Sequence, residues 1–316
     1  MQTAEFVHKP VLFDEVIESL RIKPDGIYVD GTTGGAGHSS GIAEKLDSGM
    51  LVSFDRDADA IAVATERLAK FGSRSMIVHS NFSEIKSELA ARGIDRIDGL
   101  LLDLGVSSYQ LDCAERGFSY MADAPLDMRM DRRDELSAYD VVNGFSAAEL
   151  KKILFEYGEE RFAPSIANAI VRAREIKPIE STLELSDIIK NALPASARNG
   201  SHHPAKKSFQ AIRISVNNEL KIIEQTIKDA VSIMNNGGII SIITFHSLED
   251  RIVKQAFAEL AKGCTCPKSF PVCICGNKPS VEIVSRKPIL PSDEELEINP
   301  RARSAKLRVA MRINQS

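Results

Sequence analysis

Short apolar runs alternate with amphipathic stretches through the first third of the sequence. Four runs have the length and composition of β-strands: 26–30, 50–55, 75–80 and 97–105. Helical patterns fill the segments between them, near 37–46, 57–71 and 82–92. This alternation is typical of βαβ units, so the sequence predicts an α/β fold with a doubly wound, mostly parallel sheet. In such sheets, ligands bind beyond the carboxyl ends of the strands.

The pattern changes after Gly105, where helix-like segments follow one another without convincing strands. Three of them cover 146–158, 163–176 and 182–194. Apolar residues then recur at steps of three or four from Phe209 to Met234, which predicts one long helix ended by Gly237 and Gly238.

Strand-like patterns return at 238–245 and 305–313, with a helical segment at 247–262. The sheet therefore resumes after the helical block. We expect one α/β core, residues 1–106 and 214–316, interrupted after the fourth strand by a helical insertion, residues 107–213.

Composition narrows the class of protein. A chain of 316 residues with 43% hydrophobic and 27% charged residues is typical of a soluble globular protein. The first residues lack a signal-peptide pattern, and no run of eighteen apolar residues occurs. Five cysteines, an odd number, fit a reducing compartment better than a disulfide framework. We therefore expect a cytoplasmic protein that does not enter a membrane.

The distribution of charge is uneven. A formal net charge of −4 argues against indiscriminate nucleic-acid binding. Two segments, 188–218 and 299–316, nevertheless each hold five basic residues and no acidic residue. Such a run, taken alone, is more often a solvated surface than a binding site.

Glycines crowd the turn after the first predicted strand, in "VDGTTGGAGHSS" (29–40). The segment matches neither the G-x-G-x-x-G dinucleotide fingerprint nor a P-loop. Asp55, which ends the second strand, is suited to ribose hydroxyls, and both NAD and S-adenosylmethionine contain such a ribose. Asp30 can accept a hydrogen bond from a methionine ammonium group, which favours the methyl donor. A tight turn with two acids of no special role is the alternative.

Two further residues follow strand ends. Phe82, after the third strand, can pack on an adenine face. Asp103, at the end of the fourth, can accept a hydrogen bond from a substrate amine or from the donor's ammonium group. The alternative for Asp103 is a cap on the next turn.

Eight blocks of sequence go beyond a generic cofactor fold. They include "DGTTGGAGHS", "PLDMRMD" and "TFHSLEDRIVK", and they lie at 8–16, 30–39, 103–120, 125–131, 158–171, 203–220, 244–254 and 299–312. Together they resemble the RsmH (MraW) family of bacterial small-subunit ribosomal RNA methyltransferases. The resemblance covers nearly the whole chain.

The resemblance implies a class I methyltransferase fold, with a seven-stranded sheet and a helical insertion. It also implies methylation, dependent on S-adenosylmethionine, of the exocyclic N4 amine of one cytidine in the decoding region of 16S ribosomal RNA. By position, the implied cofactor contacts are Ala36, Gly37, His38, Asp55, Phe82, Asp103 and Gln110. This sequence departs from the usual pattern at Tyr109, where a proline is common, and at Ala36, where a glycine is frequent.

Methylation of this amine needs help from the protein, because the nitrogen lone pair is delocalised into the ring. The site must align the nitrogen with the methyl group and accept a proton. Asp103 is the candidate acceptor by position, and His246 in "TFHSLED" is the second. The alternative for His246 is a helix-entry residue ahead of a Ser247 cap.

RNA contacts are expected in the insertion. Within the family context, Lys206, Lys207 and Arg213 of the basic segment, with Arg161, are expected to hold the RNA backbone rather than form a plain solvated surface. The expected partner is 16S ribosomal RNA or the small ribosomal subunit. The sequence leaves open whether naked RNA or the assembled particle is the substrate, and whether the enzyme forms a homodimer.

Four cysteines cluster as C-x-C-x6-C-x-C, at Cys264, Cys266, Cys273 and Cys275. Four thiolates in a short loop can bind zinc tetrahedrally, although C-x-C pairs are tighter than the common C-x2-C spacing. Reduced or redox-active thiols are the equal alternative. No metal is assigned to the reaction itself, and Cys113 is expected to be a spectator.

Overall fold

The computed structural model describes residues 10–198, 203–267, 270, 272 and 274–314. These residues form two compact units. The sheet unit combines the residues up to Gly105 with those from Lys221 onwards, and the helical unit is Val106–Leu220.

Seven strands make the sheet of the sheet unit. Their bounds are β1 (Ile27–Asp30), β2 (Met50–Asp55), β3 (Ser75–His79), β4 (Ile97–Asp103), β5 (Met234–Thr244), β6 (Val281–Ile283) and β7 (Lys306–Arg312). The spatial order is β3-β2-β1-β4-β5-β7-β6. Strands β1 to β5 pair in parallel, whereas β7 is antiparallel to both of its neighbours. The predicted α/β fold with a seven-stranded and mostly parallel sheet is confirmed. The sequence analysis did not identify β6, which is only three residues long.

The helices fall into three groups along the chain. The sheet unit begins with α1 (Phe13–Ser19), α2 (Gly37–Glu44), α3 (Ala58–Leu68) and α4 (Ile85–Ala91). The helical unit follows with α5 (Ser108–Asp112), α6 (Ala138–Gly144), α7 (Ala147–Gly158), α8 (Ala163–Arg174), α9 (Thr182–Ala192), α10 (Ala195–Arg198) and α11 (Lys206–Asn217). The sheet unit then resumes with α12 (Ile223–Ser232), α13 (Ser247–Leu260) and α14 (Asp293–Ile298). No described helix is long and apolar enough to cross a membrane.

The central strands are buried along most of their length. Residues Gly99–Leu102 of β4 and Gly238–Thr244 of β5 are all buried. Strands covered on both faces need nearly continuous apolar runs, which is why these segments lack the alternation of a half-exposed strand. The polar residues that end such strands are brought to one edge of the sheet.

The helical unit has a hydrophobic core of its own, which includes Leu154, Ile166, Leu185 and Phe209. The side chain of Arg116 is fully buried and stabilises the segment before α6. It donates hydrogen bonds to the carbonyl oxygens of Arg129 and Met130 at 2.9 and 3.2 Å. Serine side chains accept hydrogen bonds from the first turns of α6, α7 and α9. Such caps satisfy backbone N–H groups that have no partner within the helix.

The single long helix predicted from Phe209 to Met234 is wrong, because the structure has two helices there. Asn218 follows α11 in the left-handed conformation, with φ of 52°. Asparagine tolerates this conformation better than most residues with a side chain, so the chain turns before α12 begins. Gly237 and Gly238 lie within β5 instead of ending a helix.

These bounds also correct one predicted domain limit. The expected boundary between residues 213 and 214 lies inside α11, whereas the helical unit continues to Leu220. The other limit, expected between 106 and 107, differs from the structural one by one residue. Recognition of RNA by this unit stays a prediction.

Candidate cofactor and catalytic site

Hydrogen bonds to the Asp30 carboxylate connect both ends of the glycine-rich turn. Its carboxylate is 1% exposed; Oδ2 accepts a hydrogen bond from Ser39 Oγ at 2.6 Å and Oδ1 accepts one from the Thr32 N–H at 3.1 Å. Burial raises the pKa of Asp30 to about 6. An ammonium group could reach these oxygens only by entering a buried position, and the role of Asp30 as an ammonium acceptor stays a prediction.

The turn is tied to the end of the neighbouring strand. The Thr33 N–H and Oγ1–H both donate to the Phe54 carbonyl oxygen at 2.9 Å, and the Gly34 N–H donates to Asp55 Oδ2 at 2.8 Å. Ala36 precedes α2 in the left-handed conformation, with φ of 58°. The backbone of Ala36, Gly37 and His38 therefore enters α2 in a fixed conformation.

Close packing explains two of the glycines. A Cβ at Gly37 would overlap with the ring of Pro10, and a Cβ at Gly31 would overlap with Leu102 Cδ2 and lie 3.1 Å from Phe82 Cβ. Glycine lets backbone segments approach where a side chain has no room. The turn and Phe82 are therefore neighbours across the ends of the strands.

Asp55 and Phe82 follow adjacent strands. Asp55 Oδ2 accepts the Gly34 N–H, and Oδ1 accepts the Asp57 N–H at 2.9 Å. A carboxylate oxygen has two lone pairs, so each oxygen of Asp55 keeps one for a further donor. Burial raises the pKa of Asp55. The half-buried Phe82 begins the short 3₁₀ turn after β3.

Asp103 combines a carboxylate oxygen that is unpartnered among the described residues with a raised pKa. Its N–H donates to Thr32 Oγ1 at 2.6 Å, while its Oδ1 atom is buried without a hydrogen-bond partner in the described part of the chain. Burial, with the nearby charges of Asp30 and Glu249, raises the pKa of Asp103 to about 8. A buried carboxylate oxygen that lacks a donor is a place where a ligand donor fits.

His38 faces Asp103 as a neutral ring. Its Nε2 atom is 3.1 Å from the Val11 carbonyl oxygen, and because that oxygen only accepts, Nε2 carries the hydrogen. Nδ1 is then an acceptor, 3.7 Å from Asp103 Oδ2. Burial lowers the pKa of His38 to about 4. His38 thus supplies no positive charge to Asp103 at neutral pH.

His246 has a structural role at the start of α13, where it is itself the N-cap. Its Nδ1 atom accepts the Glu249 N–H at 3.4 Å, and Glu249 Oε2 accepts the N–H groups of Phe245 and His246 at 2.8 and 3.2 Å. This reciprocal arrangement is a capping box. The helix-entry alternative therefore describes the local geometry, with His246 rather than Ser247 as the cap.

Glu249 belongs to the site although the sequence analysis did not name it. It is buried beside Asp103 and contributes to the raised pKa of that carboxyl group. The signal was present in "HSLE", where an acidic residue three positions after a capping residue is the spacing of a capping box.

Two of the predicted residues in the helical unit have local partners. Gln110 Oε1 accepts the Ser107 N–H at 3.0 Å in the capping box of α5. Its contact with a cofactor stays a prediction. Arg213 makes a bidentate ion pair with Glu219, with both N···O distances 2.9 Å. Its side chain is only 14% exposed, which fits a structural role in this unit better than a surface contact.

The other predicted cations are exposed and lie near one another. Lys206 and Lys207 are the first residues of α11, and Lys207 Nζ donates to the Glu159 carbonyl oxygen at 3.1 Å. Arg161 lies two residues after Glu159 in the sequence, and its guanidinium carbon is 4.9 Å from the centre of the Phe162 ring. This group of Arg161, Lys206 and Lys207 is called the basic cluster below.

An aromatic pair lies close to the basic cluster. The rings of Tyr120 and His203 stack with their centres 4.4 Å apart and an interplanar angle of 11°. The Lys206 N–H donates to the His203 carbonyl oxygen at 3.0 Å, which connects the pair to the start of α11. Flat rings beside positive charges are a common arrangement in proteins that bind single-stranded RNA.

A family model described as the MraW methylase family matches residues 5–313. The chain belongs to the MraW methylase family. The resemblance noted in the sequence is thereby confirmed.

Curated relatives of this methylase match over almost their full length. One from Clostridioides difficile is 61% identical and covers 98% of this chain and 100% of its own. Another, from Brevibacillus brevis, is 54% identical and covers 99% and 100%. Both are named ribosomal RNA small subunit methyltransferase H. A solved rRNA methylase from Streptococcus thermophilus covers 96% of this chain and 94% of its own at 9% identity, and its TM-score of 0.42 is too low to support a conclusion.

In this methylase, the sheet gathers most of the predicted cofactor residues at one edge. Asp55 and Asp103 end β2 and β4, Phe82 follows β3, and Ala36, Gly37 and His38 follow β1. Parallel strands bring their carboxyl ends to the same edge, which is where ligands bind in this class of fold. Their contact with a cofactor stays a prediction.

Proposed function

We propose that the protein transfers a methyl group from S-adenosylmethionine to the N4 amine of a cytidine in the decoding region of 16S ribosomal RNA. It would act in the cytoplasm, with the small ribosomal subunit or its RNA as partner. The observation that carries the proposal is the buried Oδ1 atom of Asp103, which lacks a donor at the carboxyl end of β4 beside the glycine-rich turn. The names of the curated relatives support the class of substrate.

The residues at this edge of the sheet fit the cofactor. Asp55 has lone pairs for the two ribose hydroxyls, and Phe82 offers a partly exposed ring for the adenine. Asp103 can accept a hydrogen bond from an ammonium group, which would satisfy its buried oxygen. When bound, S-adenosylmethionine supplies a methyl group on a positively charged sulfur.

Asp103 is also the group best placed to handle the proton. As a carboxylate it can accept a hydrogen bond from the target amine, orient the nitrogen, and take up the proton released after transfer. Its raised pKa makes it a stronger base than an ordinary aspartate. A cation bound beside Asp103 would lower this pKa and favour the carboxylate form.

The helical unit supports recognition of RNA. The exposed side chains of the basic cluster can contact phosphates, and the stacked pair of Tyr120 and His203 can receive an unstacked base. Arg213 is left out of this proposed surface because Glu219 pairs with it. Arg161, Lys206 and Lys207 remain as the proposed contacts.

Transfer of a radioactive methyl group tests the proposal. The protein is incubated with labelled S-adenosylmethionine and, separately, with unmethylated 30S particles, free 16S RNA and total cell protein. We expect label in RNA, recovered as N4-methylcytidine after digestion to nucleosides. Asp103→Ala should lower transfer by at least about a hundredfold, whereas Asp47→Asn, an exposed carboxylate before β2, should not. Label found only in protein would contradict the proposal.

A further inference from the structure

The segment that joins α13 to β6 brings three cysteine sulfurs together. The Sγ atoms of Cys264, Cys266 and Cys275 all lie within 4.8 Å of one another, and those of Cys264 and Cys275 are 3.7 Å apart. Two thiolates bound to one tetrahedral zinc ion at about 2.3 Å are separated by about 3.8 Å. The sulfurs are therefore spaced like ligands of a single ion.

Backbone N–H groups surround these sulfurs. Cys266 Sγ accepts the N–H groups of Ile274 and Cys275, both at 3.3 Å. Cys275 Sγ accepts the Thr265 N–H at 3.3 Å and the Asn277 N–H at 3.5 Å. Hydrogen bonds of this kind orient the ligands of a metal site and balance the charge on sulfur.

Polar contacts close the base of the segment. Asn277 Nδ2 donates to the carbonyl oxygens of Lys262 and Gly263 at 3.1 and 2.8 Å. The Ser280 N–H donates to the Leu260 carbonyl oxygen at 2.7 Å. These bonds hold the two ends of the loop side by side, so the cysteine ligands lie close together before a metal binds.

Hydrophobic burial contributes little to the described residues of this segment. None of its described residues between Ala261 and Ser280 is buried. Its large apolar side chains, Phe270, Val272 and Ile274, are 45%, 70% and 75% exposed. A cross-link would help described residues that are this exposed to hold one conformation, and a structural metal is a common solution.

We propose that Cys264, Cys266 and Cys275 bind a structural zinc ion. Thiolates are soft ligands that select zinc over magnesium or calcium, and the group contains no carboxylate oxygen that would suit those harder ions. Cys273, the fourth cysteine of the sequence motif, lies outside the described residues. Glu249 lies in the first turn of α13 and Cys264 follows its last turn, so a helix of 14 residues, about 20 Å long, separates the ion from the proposed reaction. The ion therefore serves the structure of the loop.

Metal analysis of the full-length protein tests this proposal. Protein loaded with zinc, desalted and analysed by mass spectrometry should hold about one zinc ion per chain. Cys264→Ser and Cys275→Ser should each lose most of it. Cys113→Ser is the matched control, because Cys113 lies in the helical unit, and this variant should keep its zinc. Zinc that is absent from the unmodified protein, or retained by both ligand variants, would overturn the proposal.

Cobalt provides a second test that does not depend on variants. Titration of the metal-free, full-length protein with Co²⁺ should produce a thiolate-to-cobalt charge-transfer band and the strong visible bands of tetrahedral coordination, and zinc should displace both. A protein that shows no such bands would refute the zinc site. A disulfide between Cys264 and Cys275 that forms when this protein is exposed to dioxygen would support the redox-active alternative.

Discussion

Three acidic side chains meet within the sheet unit around Asp103. Asp30 and Glu249 are both buried, and each raises the pKa of Asp103 through its charge. His38 does not compensate, because burial keeps its ring neutral. A cationic ligand bound beside these side chains would favour the ionised form of Asp103.

The pH dependence of methyl transfer should report the titration of Asp103. Its pKa of about 8 in the ligand-free protein means that the carboxylate is the minor form at neutral pH. We expect kcat/KM for S-adenosylmethionine to rise about tenfold per pH unit below pH 8 and to level off above it, because this parameter reports groups of the free enzyme. Asp103→Asn should abolish the rise. A flat profile between pH 6 and 9 in the unmodified enzyme would contradict the assignment.

Thermal stability of Asp103→Asn reports the same titration independently of catalysis. A carboxyl whose pKa is raised on folding binds its proton more tightly in the folded state, so its contribution to stability is lost as the pH rises from about 4 to 8. Asp103→Asn removes this loss. The variant should therefore unfold at a higher temperature than the unmodified protein at pH 8, and the difference should shrink towards pH 4.

Individual site residues were predictable where they follow strands. Asp55, Phe82 and Asp103 could be named because the ends of parallel strands share one edge of a sheet. The closed environment of Asp30 was not predictable, since it depends on Ser39, which is brought back by the first turn of α2. Burial of Glu249 beside Asp103 likewise depends on the packing of α13 in three dimensions.

At the scale of elements, the turn between β1 and α2 is limited by packing against its neighbours. Gly31→Ala should lower the free energy of unfolding by about 1–3 kcal/mol, because the new methyl group would displace Leu102 and Phe82. Gly35→Ala is the matched control in the same turn: its Cβ would lie at an ordinary 3.6 Å from Arg67 Nη1. Chemical denaturation of both variants provides the measurement, and equal stabilities would show that the turn is not tightly packed.

Helices and strands were predictable from periodicity, but their ends were not. The apolar stripe continues in phase from α11 into α12, so the pattern cannot reveal the turn at Asn218. That turn depends on the left-handed backbone of Asn218, and the side chain of the preceding Asn217 fastens α11 through bonds to Met128 and Met130. Strand β6 was missed because three residues are too few to show alternation.

At the scale of the whole molecule, a net charge of −4 conceals the basic cluster of the helical unit. Replacing Lys206 and Lys207 by glutamine should weaken RNA binding. It should also reduce the slope of log K against log salt by about 1.4, or about 0.7 for each lost phosphate contact with single-stranded RNA. Binding assays at several salt concentrations measure this, and affinity for S-adenosylmethionine should not change.

A pair of lysines on another helix provides the control. Lys151 and Lys152 are adjacent and exposed on α7, and their replacement by glutamine makes the same change in net charge. This double variant should keep more of the salt dependence than the Lys206/Lys207 variant. If the two variants lose affinity equally, total charge rather than the basic cluster governs binding.

The position of β7 in the sheet affects how the chain folds during translation. This strand is synthesised after β6, yet it stands between β5 and β6. Until Arg312 has left the ribosome, β5 presents an open edge, while the helical unit, complete at Leu220, is already outside the exit tunnel. The sheet that holds the proposed cofactor residues is therefore completed only after β7 has been translated. A nascent chain stalled before β7 would expose an unpaired, apolar strand to chaperones or to aggregation.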